Sequence, residues 1–236
     1  FSLKKNIESL GHTCEFINII PGEQLEGYKT SCFYNIKLLF QRLWGWDFYK
    51  RFQTIFVFQN RFRKEFLPYL GVKKGINTKH YDVVVIGSDE VFNCLQPYPV
   101  GYSKQLFGDG YAHSKIVSYA ASFGSTRCED LVDTGIAHEI KTMLSRFAAI
   151  SVRDENSAHI VRQLLGYSPE IHMDPVLMYD FTQEIAEYTT YERDYIILYA
   201  YTGRLSREEE NYIKKFAKRH NKRIICVGHY SNIADK

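Results

Sequence analysis

No two cysteines stand at C-x-x-C spacing, and the five present (Cys14, Cys32, Cys94, Cys128, Cys226) are an odd number. That excludes a disulfide scaffold and makes a reduced, cytosolic protein the simplest expectation. The eight histidines form no zinc pattern, and His220 and His229 have no cysteine pair beside them. No apolar run reaches the roughly 18 residues that a membrane-spanning helix needs. No leader peptide is recognisable, although the chain opens on Phe1 rather than Met, which points to a processed or partial sequence. The signatures G-x-G-x-x-G, G-x-x-x-x-G-K-[ST] and G-x-S-x-G are all missing, so dinucleotide binding, P-loop hydrolysis and α/β-hydrolase chemistry lose their usual support. A surplus of charge is missing too. The net charge of +3 is too small to argue for a nucleic-acid partner, and none is expected.

What is present describes a globular protein. Over 236 residues, 45% are hydrophobic and 24% charged, enough to bury a core without staples. Aromatics make up 15% and are unevenly spread. Residues 31–70 hold thirteen of the thirty-six, both tryptophans included, and carry seven Lys/Arg against two Asp/Glu. The rest of the chain has 23 basic and 25 acidic residues, so the basic surplus belongs to this one segment.

Along the chain, apolar runs of four to six residues alternate with helical patterns, the signature of a parallel α/β sheet. Residues 2–10 read as a helix stopped by Gly11. Strands are expected at Glu15–Ile20, Val83–Ile86, Lys115–Ser122, Ala148–Val152 and Glu170–Met173. Val83–Ile86, apolar throughout, reads as buried on both faces. Helices are expected over 130–146, with Val132, Ile136, Ile140 and Met143 inward, and over 155–165, ended by Gly166. A polar break near 180–193 precedes a second unit. It has a strand at Tyr195–Tyr201, a helix from Ser206, whose capping box is completed by Glu209, to about His220, and a strand at Arg223–Val227.

The expected organisation is therefore a Rossmann-like parallel sheet domain over 1–185, with a helical insert at 31–70, and the beginning of a second Rossmann-like domain over 190–236. In the insert, Ile36, Leu39, Phe40 and Leu43 share one helical face. Phe48, Phe52 and Phe56 recur every fourth residue, as do Phe58, Phe62 and Phe66. Three readings stand for it: helices packed on their own protein, a basic aromatic surface against an anionic membrane, or a partner-binding surface.

In an open parallel sheet, ligands bind outside the carboxyl ends of the strands. Four consecutive strands end there in polar or glycine-bearing turns: Gly87-Ser88-Asp89, Ser122-Phe123-Gly124, Arg153-Asp154-Glu155 and Asp174-Pro175. Each turn has two readings. Gly87, Ser88 and Asp89 either cap a helix or meet a ligand, with Asp89 as a base or a partner of a sugar hydroxyl. Arg153 either forms a structural salt bridge or presents a fork to a phosphate or carboxylate. Ser122 and Gly124 either admit a ligand close to the backbone or serve a tight turn. Asp174-Pro175 reads as a rigid turn. His113, His138, His159 and His172 read as lone surface or core histidines.

Four blocks are similar to those of the polysaccharide pyruvyl transferases. Asp82-Val83-Val84-Val85-Ile86-Gly87-Ser88-Asp89-Glu90-Val91-Phe92-Asn93 resembles that family's D-x-h-h-h-h-G-S-D-Q-V-W-N. Ser118-Tyr119-Ala120-Ala121-Ser122-Phe123-Gly124 resembles its S-Y-A-A-S-F-G. Ile150 to Ser157 resembles h-S-x-R-E-x-x-S, and His172 to Leu177 resembles x-x-D-P-x-h. The blocks keep the family's order and spacing, and Phe92 stands where the family has Trp. The resemblance implies a GT-B-like two-domain fold and transfer of pyruvate from phosphoenolpyruvate to a sugar of a cell-surface polysaccharide, as a ketal. It implies Asp89 as the catalytic candidate here, and Arg153, Gly87, Ser88, Asn93, Ser122 and Gly124 as substrate-binding candidates. Phosphoenolpyruvate would be donor substrate, with no separate cofactor and no metal. The acceptor would be a saccharide, free or lipid-linked, met in the cytoplasm or at the inner membrane face through 31–70. The family's first strand is expected before Phe1, and its S-x-H-G-type block, with a histidine for acid–base work, after Lys236. A nucleotide-sugar glycosyltransferase of the same architecture and a non-catalytic binding module are the alternatives.

Overall fold

The computed structural model describes residues 1–25, 56–72, 80–87, 89–96, 100–186, 194–199 and 205–227. These fall into two compact units, one within 1–179 and one within 180–227.

The first unit is built on parallel strands. β1 (Val83–Ile86) pairs with β2 (Lys115–Ser118) in full register, Val83 opposite Lys115 and Ile86 opposite Ser118. β3 (Ser151–Val152) pairs with β4 (Glu170–Ile171). Single parallel bridges, Val117–Ala149 and Ala121–Val152, join the two pairs. The spatial order is thus β1-β2-β3-β4, and all four carboxyl ends point the same way.

The join between β2 and β3 is irregular for a reason visible in the side chains. Ser118 and Ser151, both buried, replace ladder bonds with hydroxyls. Ser118 Oγ donates to the Ser151 carbonyl at 3.0 Å, Ser151 Oγ donates to the Ser118 carbonyl at 3.1 Å, and Ser151 Oγ also accepts from the Ala120 amide at 3.1 Å. Ala120 sits at φ +46°, a conformation a non-glycine residue keeps only when its surroundings enforce it.

Helices supply the core. Helix α1 (Ser2–Ser9) is followed by Gly11 at φ +89°. The helix expected over 130–146 is two: α2 (Cys128–Asp133) and α3 (Ala137–Leu144). Gly135, at φ +71°, turns the chain between them, its amide donating to the Val132 carbonyl at 2.9 Å. The break re-phases the faces. Leu131 is buried and Val132 is exposed, while Ile136, Ile140 and Met143 are inward as expected. Helix α4 (Glu155–Leu165) begins at the Asp154 cap and ends at Gly166, φ +80°. Leu131, Ile140, Leu144, Ile160 and Val161 from these helices meet Val84, Ile86, Ile116 and Val152 in one cluster.

Two strand expectations change. β1 is not buried on both faces: Val84 and Ile86 are inside, but Val83 and Val85 are exposed, because the described helices converge on the other side of the strand. Residues 15–20 form no strand and pair with none among the described residues. Side chains hold them instead, with Gln105 Oε1 accepting from the Ile20 amide at 2.7 Å and Ser103 Oγ donating to the Ile20 carbonyl at 2.6 Å.

Residues 26–55 lie outside the described residues, and with them much of the insert 31–70, including the faces expected from Ile36 to Leu43 and at Phe48 and Phe52. Over 56–69 the chain is helical, with a π-helical stretch at Phe62–Phe66. Phe58, Phe62 and Phe66 stack as a ladder, centroids 6.0 and 5.9 Å apart, and all three are exposed.

The second unit contains α5 (Thr182–Ala186), β5 (Tyr195–Tyr199), α6 (Arg207–Arg219) and β6 (Arg223–Val227). β5 and β6 pair in parallel along their whole length. The Ser206–Glu209 capping box forms as the sequence implies, Glu209 N donating to Ser206 Oγ at 3.2 Å and Ser206 N to Glu209 Oε2 at 2.7 Å. Leu198, Ala217 and Ile224 form its small core, while Ile197 and Tyr199 are exposed. No helix among the described residues is long and apolar enough to cross a membrane.

Candidate active site

The four strand-end turns do converge, and Arg153 lies at their centre. Its backbone extends the sheet, N–H donating to the Ala121 carbonyl at 3.1 Å. Its guanidinium reaches sideways in both directions. Nη1 bonds Asp174 Oδ2, beyond β4, at 2.9 Å, and Nη2 pairs with Asp89 Oδ1, beyond β1. Asp174 is fixed in turn: its other oxygen accepts from the Val176 amide at 2.9 Å, capping the turn Pro175–Met178. Asp89 is 73% exposed against 39% for Asp174, so it is the partner more easily exchanged. The hydrogen bond that Arg153 donates to Asp89 is the leading reason that its guanidinium is held still more firmly protonated than usual. The salt-bridge reading of Arg153 is thus what the geometry displays, made by a fork whose two prongs hold separate carboxylates.

Ser122, Gly124 and Asp154 form a second cluster. Ser122, which is buried, donates to Asp154 Oδ2 at 2.7 Å and accepts from the Gly124 amide at 3.0 Å. Asp154 Oδ1 accepts from the Ser157 amide at 2.8 Å. Gly124 adopts φ +56°, a conformation that favours glycine, and a Cβ there would also displace the Glu90 side chain, whose Cγ would lie 2.8 Å away. Burial works to raise the pKa of Asp154. The bonds from Ser122 and Ser157 and the Arg153 charge outweigh it and leave the carboxyl below its ordinary value of 3.8. A depressed pKa stabilises the fold fully above the unfolded value and loses that contribution as pH falls through the folded one. Asp154→Ala should cost about 1–2 kcal/mol at neutral pH, and the gap to wild type should narrow below about pH 4. Urea melts at several pH values would show this; a gap constant down to pH 3 would contradict it.

Asn93 is buried in a third network. Its Oδ1 accepts from the Leu95 amide at 2.9 Å and from Thr126 Oγ1 at 2.8 Å, and its Nδ2 donates to Glu90 Oε2 at 3.0 Å. Glu90 itself sits at φ +52°. Gly87 lies just past β1, against the chain leaving β2: a Cβ there would be 2.3 Å from the Tyr119 carbonyl oxygen. Gly87→Ala should cost about 1–3 kcal/mol, because a backbone oxygen has nowhere to go; an unshifted thermal midpoint would argue against this packing. Ser88 lies outside the described residues.

The geometry also brings in Tyr119, which the sequence did not single out, and His172, which it read as a lone histidine. Tyr119 leaves β2 and packs its ring on His172, just past β4, with centroids 5.3 Å apart at 37°. The His172 amide donates to the Val152 carbonyl at 2.9 Å. Tyr119 lies inside the S-Y-A-A-S-F-G block and His172 two residues before Asp174, so their places were legible while their contact was not. Among the described residues no group of three His, Cys, Asp or Glu side chains could hold a metal ion. Burial pushes the Cys94 thiol up to about 12, which leaves it unsuited to nucleophilic work.

Comparison with protein-family models matches residues 1–234 to the model described as polysaccharide pyruvyl transferase. No curated protein and no solved structure matches the chain.

Proposed function

Because the chain belongs to the polysaccharide pyruvyl transferase family, we propose that it moves a pyruvyl group from phosphoenolpyruvate to hydroxyls of a polysaccharide sugar, forming a ketal and releasing phosphate. The observation that carries this reading is the Arg153 fork, suspended between Asp89 and Asp174 at the carboxyl ends of the strands. Phosphoenolpyruvate has two anionic groups and needs a fixed cation. Helix α4 offers little, since the Asp154 carboxylate already occupies its N-terminus. Arg153 is the cation placed to serve, its Asp89 prong opening to the donor's carboxylate or phosphate. Asp89, displaced and solvated, is then a free carboxylate beside the donor.

The chemistry asks for three movements. A proton goes to the methylene carbon of phosphoenolpyruvate, the sugar hydroxyl attacks the neighbouring carbon as it loses its own proton, and the carbon–oxygen bond to phosphate breaks. A second hydroxyl then attacks the same carbon and closes the ketal, its proton leaving with the released phosphate. Asp89 takes the hydroxyl proton in this scheme, and Arg153 holds the anion through the step. Gly87, Asn93, Ser122 and Gly124 act by shaping the turns around that pair, and Ser88 stays a substrate-binding candidate by its place in the sequence. Phosphoenolpyruvate is a substrate, and the reading calls for no cofactor and no metal. Parallel strands with helices between them, in each unit taken by itself, support a Rossmann-like domain of the kind a GT-B-like fold uses. The exposed Phe58–Phe62–Phe66 ladder, with Arg63 and Lys64 on the same helix, supports contact with an anionic membrane surface that would present a lipid-linked acceptor on its cytoplasmic side.

The test is incubation of the protein with phosphoenolpyruvate and lipid- or nucleotide-linked sugars. The expected product is the acceptor heavier by pyruvate less one water, with phosphate released in step. Consumption of a nucleotide sugar as glycosyl donor, with phosphoenolpyruvate untouched, would overturn the reading.

A further inference from the structure

A cleft of about 770 Å³ opens in the first unit, and none of the strand-end residues described above lines it. One wall is the extended strap 20–25. The other runs from Tyr102 to Tyr111, with Glu139 of α3 beside them.

The walls are sewn together. The Gly22 amide donates to the Val100 carbonyl at 2.8 Å and the Tyr102 amide to the Glu23 carbonyl at 2.9 Å. Gln105 spends its whole amide on the seam, accepting from Ile20 and donating to the Asn18 carbonyl at 3.2 Å and to Tyr111 Oη at 2.7 Å. Two glycines permit the contact: a Cβ at Gly22 would fall 1.7 Å from the Tyr102 carbonyl oxygen, and one at Gly101 2.3 Å from the Gly22 oxygen. A cleft held in this way is formed before any ligand arrives, as binding sites usually are.

Its lining chooses the ligand's chemistry. Three carboxylates, Glu23, Asp109 and Glu139, face one ammonium, Lys104, so an anion such as phosphoenolpyruvate is repelled. Glu139 is held on both oxygens, by Tyr102 Oη at 2.9 Å and by Lys104. The Lys104 bond is the leading reason that its carboxyl stays ionised below the usual range. It is an acceptor fixed in place, and Lys104 keeps protons to donate. Gln24 also lines the cleft, and its buried Nε2 has no hydrogen-bond acceptor among the described residues. A ligand oxygen meets that demand after a turn of the amide. Tyr111 adds a flat apolar face among these polar groups.

We propose that this cleft is a subsite for an uncharged, polyhydroxylated ligand: the neutral glycan portion of the acceptor, held apart from the strand ends. The assignment to the acceptor rests on the pyruvyl-transfer reading, whereas the class of ligand does not.

Two measurements test it. In the first, neutral di- to tetrasaccharides of hexose and N-acetylhexosamine are titrated calorimetrically into the full protein, wild type and the variants Glu139→Gln and Tyr111→Ala, without phosphoenolpyruvate. The glycans should bind wild type and lose about tenfold in affinity in each variant, while phosphoenolpyruvate binding is unmoved. Equal glycan affinity in all three proteins, or binding confined to amine-bearing glucosamine oligomers, overturns the proposal. In the second, the variants should raise the acceptor KM about tenfold and leave kcat and the phosphoenolpyruvate KM alone. Transfer that proceeds with an unchanged acceptor KM removes the cleft from the acceptor's path and leaves the transferase reading intact. Glycan binding that weakens in the variants of a protein that transfers no pyruvate supports the cleft while the functional reading fails.

Discussion

Arg153→Ala should reduce pyruvyl transfer by about two to three orders of magnitude, the usual cost of removing one donor that stabilises charge in a reacting group. The loss has two sources. The donor's anion loses the fork that would hold it at the strand ends, and Asp89 and Asp174, left without their shared cation, repel that anion. Arg153→Lys should recover part of the rate, since a lysine restores the charge but cannot hold two partners in one plane. The phosphoenolpyruvate KM should rise in both variants while the acceptor KM changes little. Stability should move far less: Asp89 is well exposed, and exposed ion pairs contribute about 0–1 kcal/mol. Steady-state kinetics alongside a urea melt separates the two effects. An Arg153→Ala protein with wild-type kcat/KM would show the fork to be a tie between strand ends and nothing more.

Phe92→Ala should lower the stability of the first unit by about 3–5 kcal/mol. Phe92 is fully buried, its ring 5.0 Å from Phe107, 5.2 Å from Phe123 and 6.1 Å from Phe147. Truncation leaves a hole that three rings and the adjacent sheet cannot close. The cost extends to the site, because the Phe92 amide donates to the Ser122 carbonyl at 2.9 Å, tying the turn after β1 to the turn after β2. The variant should therefore lose activity at temperatures where wild type is still folded. Phe92→Trp, the residue that family sequences carry here, should cost about 1–3 kcal/mol by overpacking. A denaturation midpoint for Phe92→Ala within error of wild type would refute this account of the core.

Parts of the fold whose causes are local in sequence were legible from it. Gly11, Gly166, the Asp154 cap and the Ser206–Glu209 box each act within a few residues, and the helices begin and end where these residues stand. The break at Gly135 was missed because Val132, Ile136, Ile140 and Met143 keep helical spacing across it. Periodicity cannot see a glycine that turns the chain and re-phases the face. Glu15–Ile20 has strand composition but, among the described residues, no strand beside it. A strand is defined by its neighbour, and this segment's hydrogen bonds go to Ser103 and Gln105, more than eighty residues away.

The same division runs through the candidate site. Sequence alone determined that the chain belongs with α/β proteins, that its polar turns follow its strands, and, through four ordered blocks, which family it resembles. These depend on residue type and order. Tertiary structure decided what each turn residue touches. It made Arg153 a bridge between Asp89 and Asp174, placed Asn93 and Ser122 in buried networks that hold the turns, and set Tyr119 against His172. Only the fold showed that the strap 20–25 and the segment 102–111 close around an acidic cleft. Pairings across eighty residues are chosen by the packing of the whole core, and no local pattern records them.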